Sequence, residues 1–572
     1  MQSFNIFNNI SRFIFAGFVL SSSSIFAQNN VDTLPELDQV NVIKSYEPVL
    51  IGANKVPVAT SLPDISKAKP DAQTYNYTDV KGKITYQPED IRPIRLGQKK
   101  AEKNQFFYAK IGGGFPAAAL AEIAITNPIQ THYKAGADIN MLYSNAIKPK
   151  YKDFLNFKAK GFAEGYIRKM AAIGGSLYFG VDNYKFYGFT DQIFSKDSLK
   201  TNFNRIGGNI FIKNINDGSF NYKLNADIAS VIHKNVYHNP KEVTVDVTAQ
   251  ADYNFKKNYW AGALLRVNNV SYNDNYKDTT ILGKLLNKQN HFSIQATPFF
   301  KVKFKIWQIW GGPSLIVTNR TFYVLPEIHN QIQIYKDYVV MYNEWTNQIK
   351  NNSLNVLSKE NPWIVTQNYN NQLDETRTIF GLRGVIKGFG YDVKINHLVS
   401  HSNAQYYSYN TIPPYTPANN PFFDVQTVYK LQAWNPHFGI SYNRGSEFGA
   451  KAWFDYLVYN KNTAQELSYV PKLKAGISAF YNWKNKLYVN MDIEGRTKVN
   501  GLVKEYGGFA GETSTLVPVK GLLDINFSAN YFFNKNIGVF VDVNNVAFQK
   551  WQRYYKYPTY TFQVIAGAKF SF

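Results

Sequence analysis

The end of the chain alternates apolar and polar residues without interruption, and this two-residue period constrains the fold more than any other feature. From residue 560 to 572 every even position is apolar, ending in Ala568, Phe570 and Phe572, whereas most odd positions are polar or small. A period of two predicts a β-strand with one apolar and one polar face. Such a strand suits either a soluble sheet over a core or a membrane barrel with lipid outside and water inside.

The same alternation recurs throughout residues 105–572, for example in the stretches 243–255, 487–494 and 523–533. Acidic and amide residues occupy the polar face, which favours a water-filled interior over a dry core. A soluble protein of this length would divide into domains joined by linkers, and no linker is visible here. The pattern therefore predicts an all-β fold, a transmembrane antiparallel β-barrel.

The connections between strands are unequal in length, as in membrane barrels, which have short turns at one end and long loops at the other. Short turns are predicted near Asn127-Pro128, Arg168-Lys169, Asp217-Gly218, Lys256-Lys257, Trp307, Lys336-Asp337, Phe389-Gly390, Arg444-Gly445, Lys484-Asn485 and Lys535-Asn536. Long loops are predicted at 144–153, 191–201, 272–289, 346–375, 407–423, 460–471 and 500–518. Ten short turns predict about 22 strands, within a range of 20–24, and the turn at Trp307 is the weakest of the ten predictions. An even number of strands leaves both barrel ends in the periplasm.

Composition agrees with a barrel. Aromatic residues make up 16% of the chain, yet mean hydropathy is −0.32, since only half of each barrel strand is apolar. Cysteine is absent, which excludes disulfides, thiolate metal sites and cysteine nucleophiles. The net charge of +22 favours anionic neighbours such as lipid phosphates, polyanionic glycans or anionic solutes, or else a lysine-rich solvated surface.

The N-terminal region has two predicted parts. Residues 1–27 resemble a secretory signal with Arg12, an apolar run from Phe13 to Leu20, and cleavage between Ala27 and Gln28. A nucleic-acid partner is not expected behind such a signal. Residues 28–104 contain seven prolines and little periodicity, which predicts an extended periplasmic segment with one short strand at 39–43.

No enzymatic or metal site emerges from the residue pattern, and no cofactor is expected. His397 and His401 fall in a predicted strand, where a spacing of four separates them by roughly 13 Å, too far to share a metal. The glycine-rich Ile111–Phe115 stretch is followed by a strand rather than a helix, which predicts a turn or a close backbone approach instead of a phosphate loop. The chain is predicted not to be an enzyme.

Aromatic residues near the C-terminus predict a girdle at the outer rim, because Tyr and Trp rings favour the membrane interface. The predicted outer aromatic girdle comprises Trp551, Tyr554, Tyr555, Tyr557 and Tyr560. The final strand is predicted to close the barrel against the first, near Phe106–Phe115. Ala568, Phe570 and Phe572 resemble the C-terminal signal by which barrel-assembly machinery recognises its substrates.

The C-terminal end combines the Asn544-Asn545 turn, the aromatic stretch, Tyr557-Pro558 and a last strand that ends in Phe572. With these features the chain resembles TonB-dependent receptors of the Bacteroidota. At the other end, the motif Leu37, Asp38, Gln39, Val40, Asn41, Val42 and Ile43 resembles a degenerate TonB box or a docking peptide. Only 77 residues (28–104) separate the signal from the barrel, so the chain is predicted to lack the full plug domain of that family.

The resemblance implies an outer-membrane barrel that passes or gates a solute, for which the net charge favours an anion. The alternative is a non-enzymatic, occluded scaffold subunit of an outer-membrane assembly or secretion complex, with residues 28–104 docked on periplasmic partners. Expected partners are outer-membrane lipid and lipopolysaccharide, the barrel-assembly machinery, and either TonB, a surface lipoprotein or other complex subunits. A barrel this wide must be filled, and residues 28–104, the inward-folded loop 346–375 or another protein are the candidates.

Overall fold

A computed structural model describes most of the chain from Phe106 onward. The described ranges are 106–127, 132–145, 151–167, 170–188, 199–215, 218–235, 239–274, 288–319, 321–364, 372–409, 422–460, 467–506 and 512–572. The predicted signal cleavage site, the segment 28–104 and its motif at 37–43 lie outside the described residues.

Twenty-two strands form a closed antiparallel wall, as the alternation and the turn count predict. The wall strands are β1 (Phe107–Phe115), β2 (Ala118–Thr126), β3 (Tyr133–Ser144), β4 (Phe154–Ile167), β5 (Ala171–Lys185), β6 (Lys200–Asn214), β7 (Phe220–Asn235), β8 (Lys241–Lys256), β9 (Tyr259–Asn273), β10 (Lys288–Lys303), β11 (Trp307–Thr318), β12 (Phe322–Tyr335), β13 (Val339–Asn351), β14 (Gln372–Ile386), β15 (Phe389–Tyr409), β16 (Phe422–Arg444), β17 (Phe448–Tyr456), β19 (Leu473–Trp483), β20 (Leu487–Arg496), β23 (Leu522–Phe532), β24 (Ile537–Asn544) and β27 (Gln563–Ser571).

The connections contain the remaining secondary structure. These elements are β18 (Val458–Tyr459), β21 (Val499–Tyr506), β22 (Glu512–Val519), the hairpin β25 (Gln552–Tyr554) and β26 (Tyr557–Pro558), and the helix α1 (Leu354–Glu360). Among the described residues no helix is both long and apolar enough to cross a membrane.

The last strand closes the barrel against the first, as predicted. β27 pairs with β1 along eight residue pairs, with Gly112 opposite Gly567 at the middle of the seam. The Phe572 amide donates to the Phe107 carbonyl at 2.9 Å, and the Phe572 carbonyl accepts from the Phe106 amide at 2.6 Å. The glycine-rich stretch of β1 is therefore a site of close backbone approach and not a turn.

The strands that flank the ten predicted short turns all meet at one end of the barrel, which we call the short-turn end. The turn predicted at Trp307 spans Phe304–Ile306, between β10 and β11. The opposite end, here the long-loop end, carries the long connections; α1 and the β25–β26 hairpin belong to it. Both Phe106 and Phe572 lie at the short-turn end, because an even number of strands returns the chain to the side from which it started.

The two faces of the wall differ as the alternation predicts. Outward side chains such as Leu177, Ile210 and Ile228 are 75%, 69% and 55% exposed, although they are apolar. Inward side chains such as Lys110 and Glu122 are 4% and 7% exposed, although they are charged. This inversion of the usual soluble pattern fits lipid outside and a polar interior.

A ring of outward aromatic side chains surrounds the short-turn end, next to the turns and, for Phe572, after the last strand. Its described members are Tyr133, Phe220, Phe255, Phe304, Phe389, Trp483, Phe533 and Phe572. Aromatic rings at this depth mark a membrane interface. The structure thus shows an aromatic girdle at the end opposite to the predicted one.

Candidate functional site

The β13–β14 connection contains a short helix, α1, that contacts wall strands β6, β8 and β15 at the long-loop end. Its helix α1 begins at Ser353, whose hydroxyl oxygen accepts from the Val356 amide at 3.1 Å. The Glu242 carboxylate of β8 accepts from the backbone amides of Leu354 and Asn355, the latter at 3.0 Å. Glu242 is 1% exposed, so a buried charge on the wall caps the helix.

Further contacts fix α1 to β6. The Arg205 guanidinium pairs with Asp182 at 2.8 Å and donates to Asn355 Oδ1 and Ser358 Oγ, both at 3.0 Å. Arg205 is 6% exposed, and its acceptors satisfy the buried charge. One cation therefore joins the wall carboxylate of Asp182 to the helix.

The far end of α1 is held by the opposite wall. The Tyr406 hydroxyl of β15 donates to the Leu357 carbonyl and to Glu360 Oε2, both at 3.1 Å. Eight strands lie between β6 and β15 in the closed sheet of 22, so α1 contacts two parts of the wall that are far apart along the sheet. The helix therefore bridges strands that are not neighbours in the wall.

A cluster of buried apolar side chains fills the space around α1; we call it the mouth core. Its members are Phe186, Leu199, Phe203, Val231, Val270, Tyr272, Leu354, Leu357, Trp363, Ile364, Tyr406, Phe423, Val425, Tyr554 and Tyr557. They come from wall strands and from three connections, β5–β6, β13–β14 and β24–β27. The connections thus pack against one another as a small hydrophobic core instead of extending into solvent.

The prediction of an outer aromatic girdle is wrong about the surroundings of these side chains. The segment 551–560 does lie at the long-loop end between the last two wall strands, but Trp551, Tyr554 and Tyr557 are buried. Tyr557 packs on Trp363 with ring centroids 4.3 Å apart. The rings of Tyr554 and Tyr557 face the mouth core and not lipid, because the β25–β26 hairpin folds inward.

Hydrogen bonds between connections close the mouth core. The Trp363 indole donates to the Lys185 carbonyl at 3.1 Å, and the Tyr187 hydroxyl donates to the Pro558 carbonyl at 3.0 Å. The Tyr554 hydroxyl donates to the Glu360 carbonyl at 3.2 Å. Each of these three polar tips therefore finds a backbone acceptor on another connection or at the end of a wall strand, which holds the connections in one arrangement.

Lys152, in the β3–β4 connection, is a buried cation that lies over two aromatic rings. Its ammonium lies 4.3 Å from the Tyr560 ring centroid and 5.9 Å from that of Tyr187, while neighbouring Asp153 pairs with Lys185. Burial without an opposing carboxylate lowers the pKa of Lys152 to about 7. Packing of the β24–β27 connection on Lys152 therefore favours the neutral amine.

This environment leads to a pH prediction. Since the folded-state pKa of Lys152 is about 7 against an ordinary value of 10.5, the unfolded connection binds more protons than the packed one between these values. The stability of the mouth core is expected to rise from pH 7 to 9.5, by at most about 1.4 kcal/mol per pH unit. The check is the urea midpoint of tryptophan fluorescence in wild type and in Lys152→Met, which should lose most of this slope. An equal slope in both proteins would contradict the assignment.

Glu242 provides a test of how α1 is held. Glu242→Ala leaves two helix amides without their acceptor, which costs about 1–3 kcal/mol. Cleavage by trypsin after Lys359, at the end of α1, is expected to accelerate about tenfold, since cleavage requires local unfolding. Glu242→Gln keeps one acceptor oxygen and should give an intermediate rate. Wild-type cleavage kinetics in Glu242→Ala would show that the carboxylate does not hold the helix.

The wall below the mouth core is polar and pairs its charges. Lys110 and Asp542 approach to 2.8 Å, and Arg266 donates to Gln295 at 3.3 Å, which in turn donates to Glu327 at 3.1 Å. An acidic or amide partner therefore accompanies each of these two cations. No group of three or more candidate metal ligands occurs in the described ranges.

The residues of the predicted insertion signal lie on the last wall strand. Ala568 and Phe570 lie on β27 opposite Ile111 and Ala109, on the outward face of the seam. Their role in insertion stays a prediction.

Sequence reasoning missed Glu242, Arg205 and Lys152, since alternation identifies inward positions but not their partners. The signal for α1 was present as the N-capping Ser353 ahead of Leu354 and Leu357.

Comparison with known proteins identifies the fold. No protein-family model and no curated protein sequence matches the chain. Among solved structures, the FrpB iron transporter from Neisseria meningitidis (F5-1 variant) superposes with a TM-score of 0.63 at 10% identity, covering 82% of this chain and 83% of that one. The siderophore receptor PirA from Acinetobacter baumannii gives 0.62 at 12% identity, covering 83% and 81%. The copper transporter OprC gives 0.58 at 10% identity, covering 83% and 81%.

At these identities the likeness concerns the fold alone, a closed barrel shared with these transporter and receptor structures. A large barrel of this kind, with an apolar exterior, is an outer-membrane protein. The similar structures are named as transporters and a receptor, and none of the three as an enzyme.

Proposed function

We propose that this chain is an outer-membrane barrel of the TonB-dependent-receptor type that passes or gates a solute. The observation that carries the proposal is the mouth core: the chain's own connections pack together at the long-loop end of a polar wall that contains paired charges. A barrel that served only as a solid support would not need a polar interior. A closure made of connections can move aside and open a path. The names of the similar structures, an iron transporter, a siderophore receptor and a copper transporter, support transport.

The proposed orientation has the short turns, both barrel ends and residues 28–104 in the periplasm, as expected after a signal peptide cleaved between Ala27 and Gln28. The long connections and the mouth core then face the cell exterior. Residues 28–104 act as a reduced plug in place of a full plug domain, and the motif at 37–43 engages TonB or a docking partner. The composition supports an origin in the Bacteroidota.

The solute is proposed to be polar. The chain's net charge of +22 supports an anion. The paired charges of the wall support only weak selectivity, because each described cation discussed above has an acceptor or an acid beside it. We therefore expect a modest preference for anions, which the reversal potential under a salt gradient measures.

Conductance in planar bilayers tests the transport proposal. Purified full-length protein is expected to conduct little, and deletion of residues 28–104 should raise conductance. Combining the deletion with Trp363→Ala and Tyr557→Ala, which loosen the mouth core, should give the largest increase. Phe548→Ala, at a 62%-exposed position in the same connection as Tyr557, is the matched control and should change nothing. A bilayer that stays closed with the combined variant would refute the proposal.

A second candidate, an occluded scaffold subunit of an outer-membrane assembly, is favoured by the apolar character of the closure. Ile364 and Phe423 in the mouth core are both fully buried, which resembles a permanent core more than a lid. Extraction in mild detergent distinguishes the roles. A scaffold should co-purify with partners at fixed stoichiometry, lose them when residues 28–104 are deleted, and keep them in the Trp363→Ala/Tyr557→Ala variant. A barrel that migrates alone would count against this role.

A further inference from the structure

The short turns carry an unusual concentration of positive charge. Seven consecutive short turns, from β8–β9 to β23–β24, each contain at least one cation within or beside the turn. We call this set the basic collar: Lys256, Lys257, Lys303, Lys305, Lys336, Lys387, Arg444, Lys484, Lys486 and Lys535. In the described part of these turns the acidic side chains are Asp337 and Glu447, and Glu447 pairs with Arg444 at 3.6 Å. The collar is therefore strongly positive.

Backbone geometry shows that several of these lysines occupy positions that local structure disfavours. Lys336, Lys387 and Lys484 have φ values of +45°, +48° and +53°. Tight hairpin turns place Gly, Asn or Asp at such left-handed positions, because a larger side chain crowds the backbone. Asn485, the next residue after Lys484, has φ +57° and fits that preference. The turn geometry does not explain why lysine occupies these positions. Their positive charge therefore needs a separate explanation.

The collar borders the ring of outward aromatic residues at the same end. Lys484 lies 5.5 Å from the Trp483 ring centroid, and Lys256 lies 5.9 Å from that of Tyr259. Trp483 and Phe533 face outward and are 46% and 61% exposed. Aromatic rings at the depth of the lipid head groups bring adjacent ammonium groups to the level of the phosphates.

We propose that the basic collar binds the phosphate groups of anionic phospholipids in the leaflet at the short-turn end. Phospholipid is favoured over an acidic protein because the cations follow seven turns around more than half of the barrel, and lipid surrounds a barrel in this way. A protein docked on one side would require charge on adjoining turns only. The collar sets the depth of the barrel in the bilayer, and this inference holds for either proposed function.

Spin-labelled lipids test the proposal in the full-length protein. The protein is reconstituted in phosphatidylcholine vesicles that contain a trace of spin-labelled phosphatidylglycerol or spin-labelled phosphatidylcholine. The motionally restricted fraction measured by electron paramagnetic resonance reports lipid at the protein surface. We expect at least about a two-fold preference for phosphatidylglycerol, which falls when the NaCl concentration is raised to 0.5 M.

Two sets of substitutions make the test specific. The collar variant changes seven lysines to Gln: Lys257, Lys305, Lys336, Lys387, Lys484, Lys486 and Lys535. The matched control changes seven exposed lysines at the long-loop end: Lys200, Lys234, Lys241, Lys288, Lys498, Lys520 and Lys550. The collar variant should lose the preference, and the control should retain it. Equal loss of the preference in both variants would overturn the proposal. Equal restriction of both lipids by the wild-type protein would also overturn it, and would point to an acidic protein as the collar's partner.

Discussion

Gly567→Val is expected to prevent closure of the barrel and to reduce the folded protein in the membrane to a small fraction of the wild-type level. A Cβ at Gly567 would lie 2.0 Å from the Ile111 carbonyl oxygen and 2.5 Å from the Gly112 Cα. Both atoms belong to the backbone of β1, so no side chain can move aside. The seam must separate, and the cost of its lost ladder hydrogen bonds is on the order of 4 kcal/mol or more.

A matched substitution elsewhere in the wall controls for the change of residue type. A Cβ at Gly161, on β4, would meet no atom within 4 Å. Gly161→Val should therefore fold, since valine suits a strand. The measurement is the amount of heat-modifiable barrel, which migrates differently before and after boiling, in outer-membrane fractions. Normal levels of folded Gly567→Val would show that β27 and β1 do not close the barrel as described.

Loosening the mouth core is expected to have the second largest effect. Trp363→Ala and Tyr557→Ala each remove a large buried ring, and aromatic-to-alanine changes in a core cost about 3–5 kcal/mol. Because the two rings touch, the double change should cost less than the sum of the single ones. The wall itself should remain intact, since neither residue takes part in the barrel ladder.

The expected result is a barrel whose connections at the long-loop end are exposed. Trypsin added to the purified protein in detergent should cleave after Lys359 and near Arg553 in the double variant but scarcely in wild type, while heat modifiability stays unchanged. Phe548→Ala, with its exposed ring, should behave like wild type. Resistance of the double variant to trypsin would mean that the polar anchors of α1, Glu242 and Arg205, close the mouth without the aromatic core.

Much of the fold could be predicted from the sequence because barrel strands follow a local rule. Along a strand, successive side chains point to opposite faces. Alternation in β27 therefore identifies lipid-facing Ala568 and Phe570 without knowledge of any partner strand. Turn residues such as Lys484-Asn485 are equally local. Their positions set the number of strands, and the even count followed from them.

The functional region was harder to predict because its contacts join residues far apart in the chain. Tyr557 was predicted to face lipid, since an aromatic stretch near a strand end usually lies at the interface. Its partner Trp363 is nearly two hundred residues away, and nothing local to either residue indicates the contact. Capping of α1 by Glu242 is likewise a long-range contact.

The sequence by itself determined the class of fold, the membrane environment and the strand number of this protein, because a period of two and the spacing of short turns depend only on local geometry and on which face meets lipid. Only the tertiary structure decided what closes the opening and which charges are paired. Those outcomes depend on which connections meet across the barrel, and closure of the sheet brings together β6, β15 and the β24–β27 connection, which the linear order of residues keeps apart.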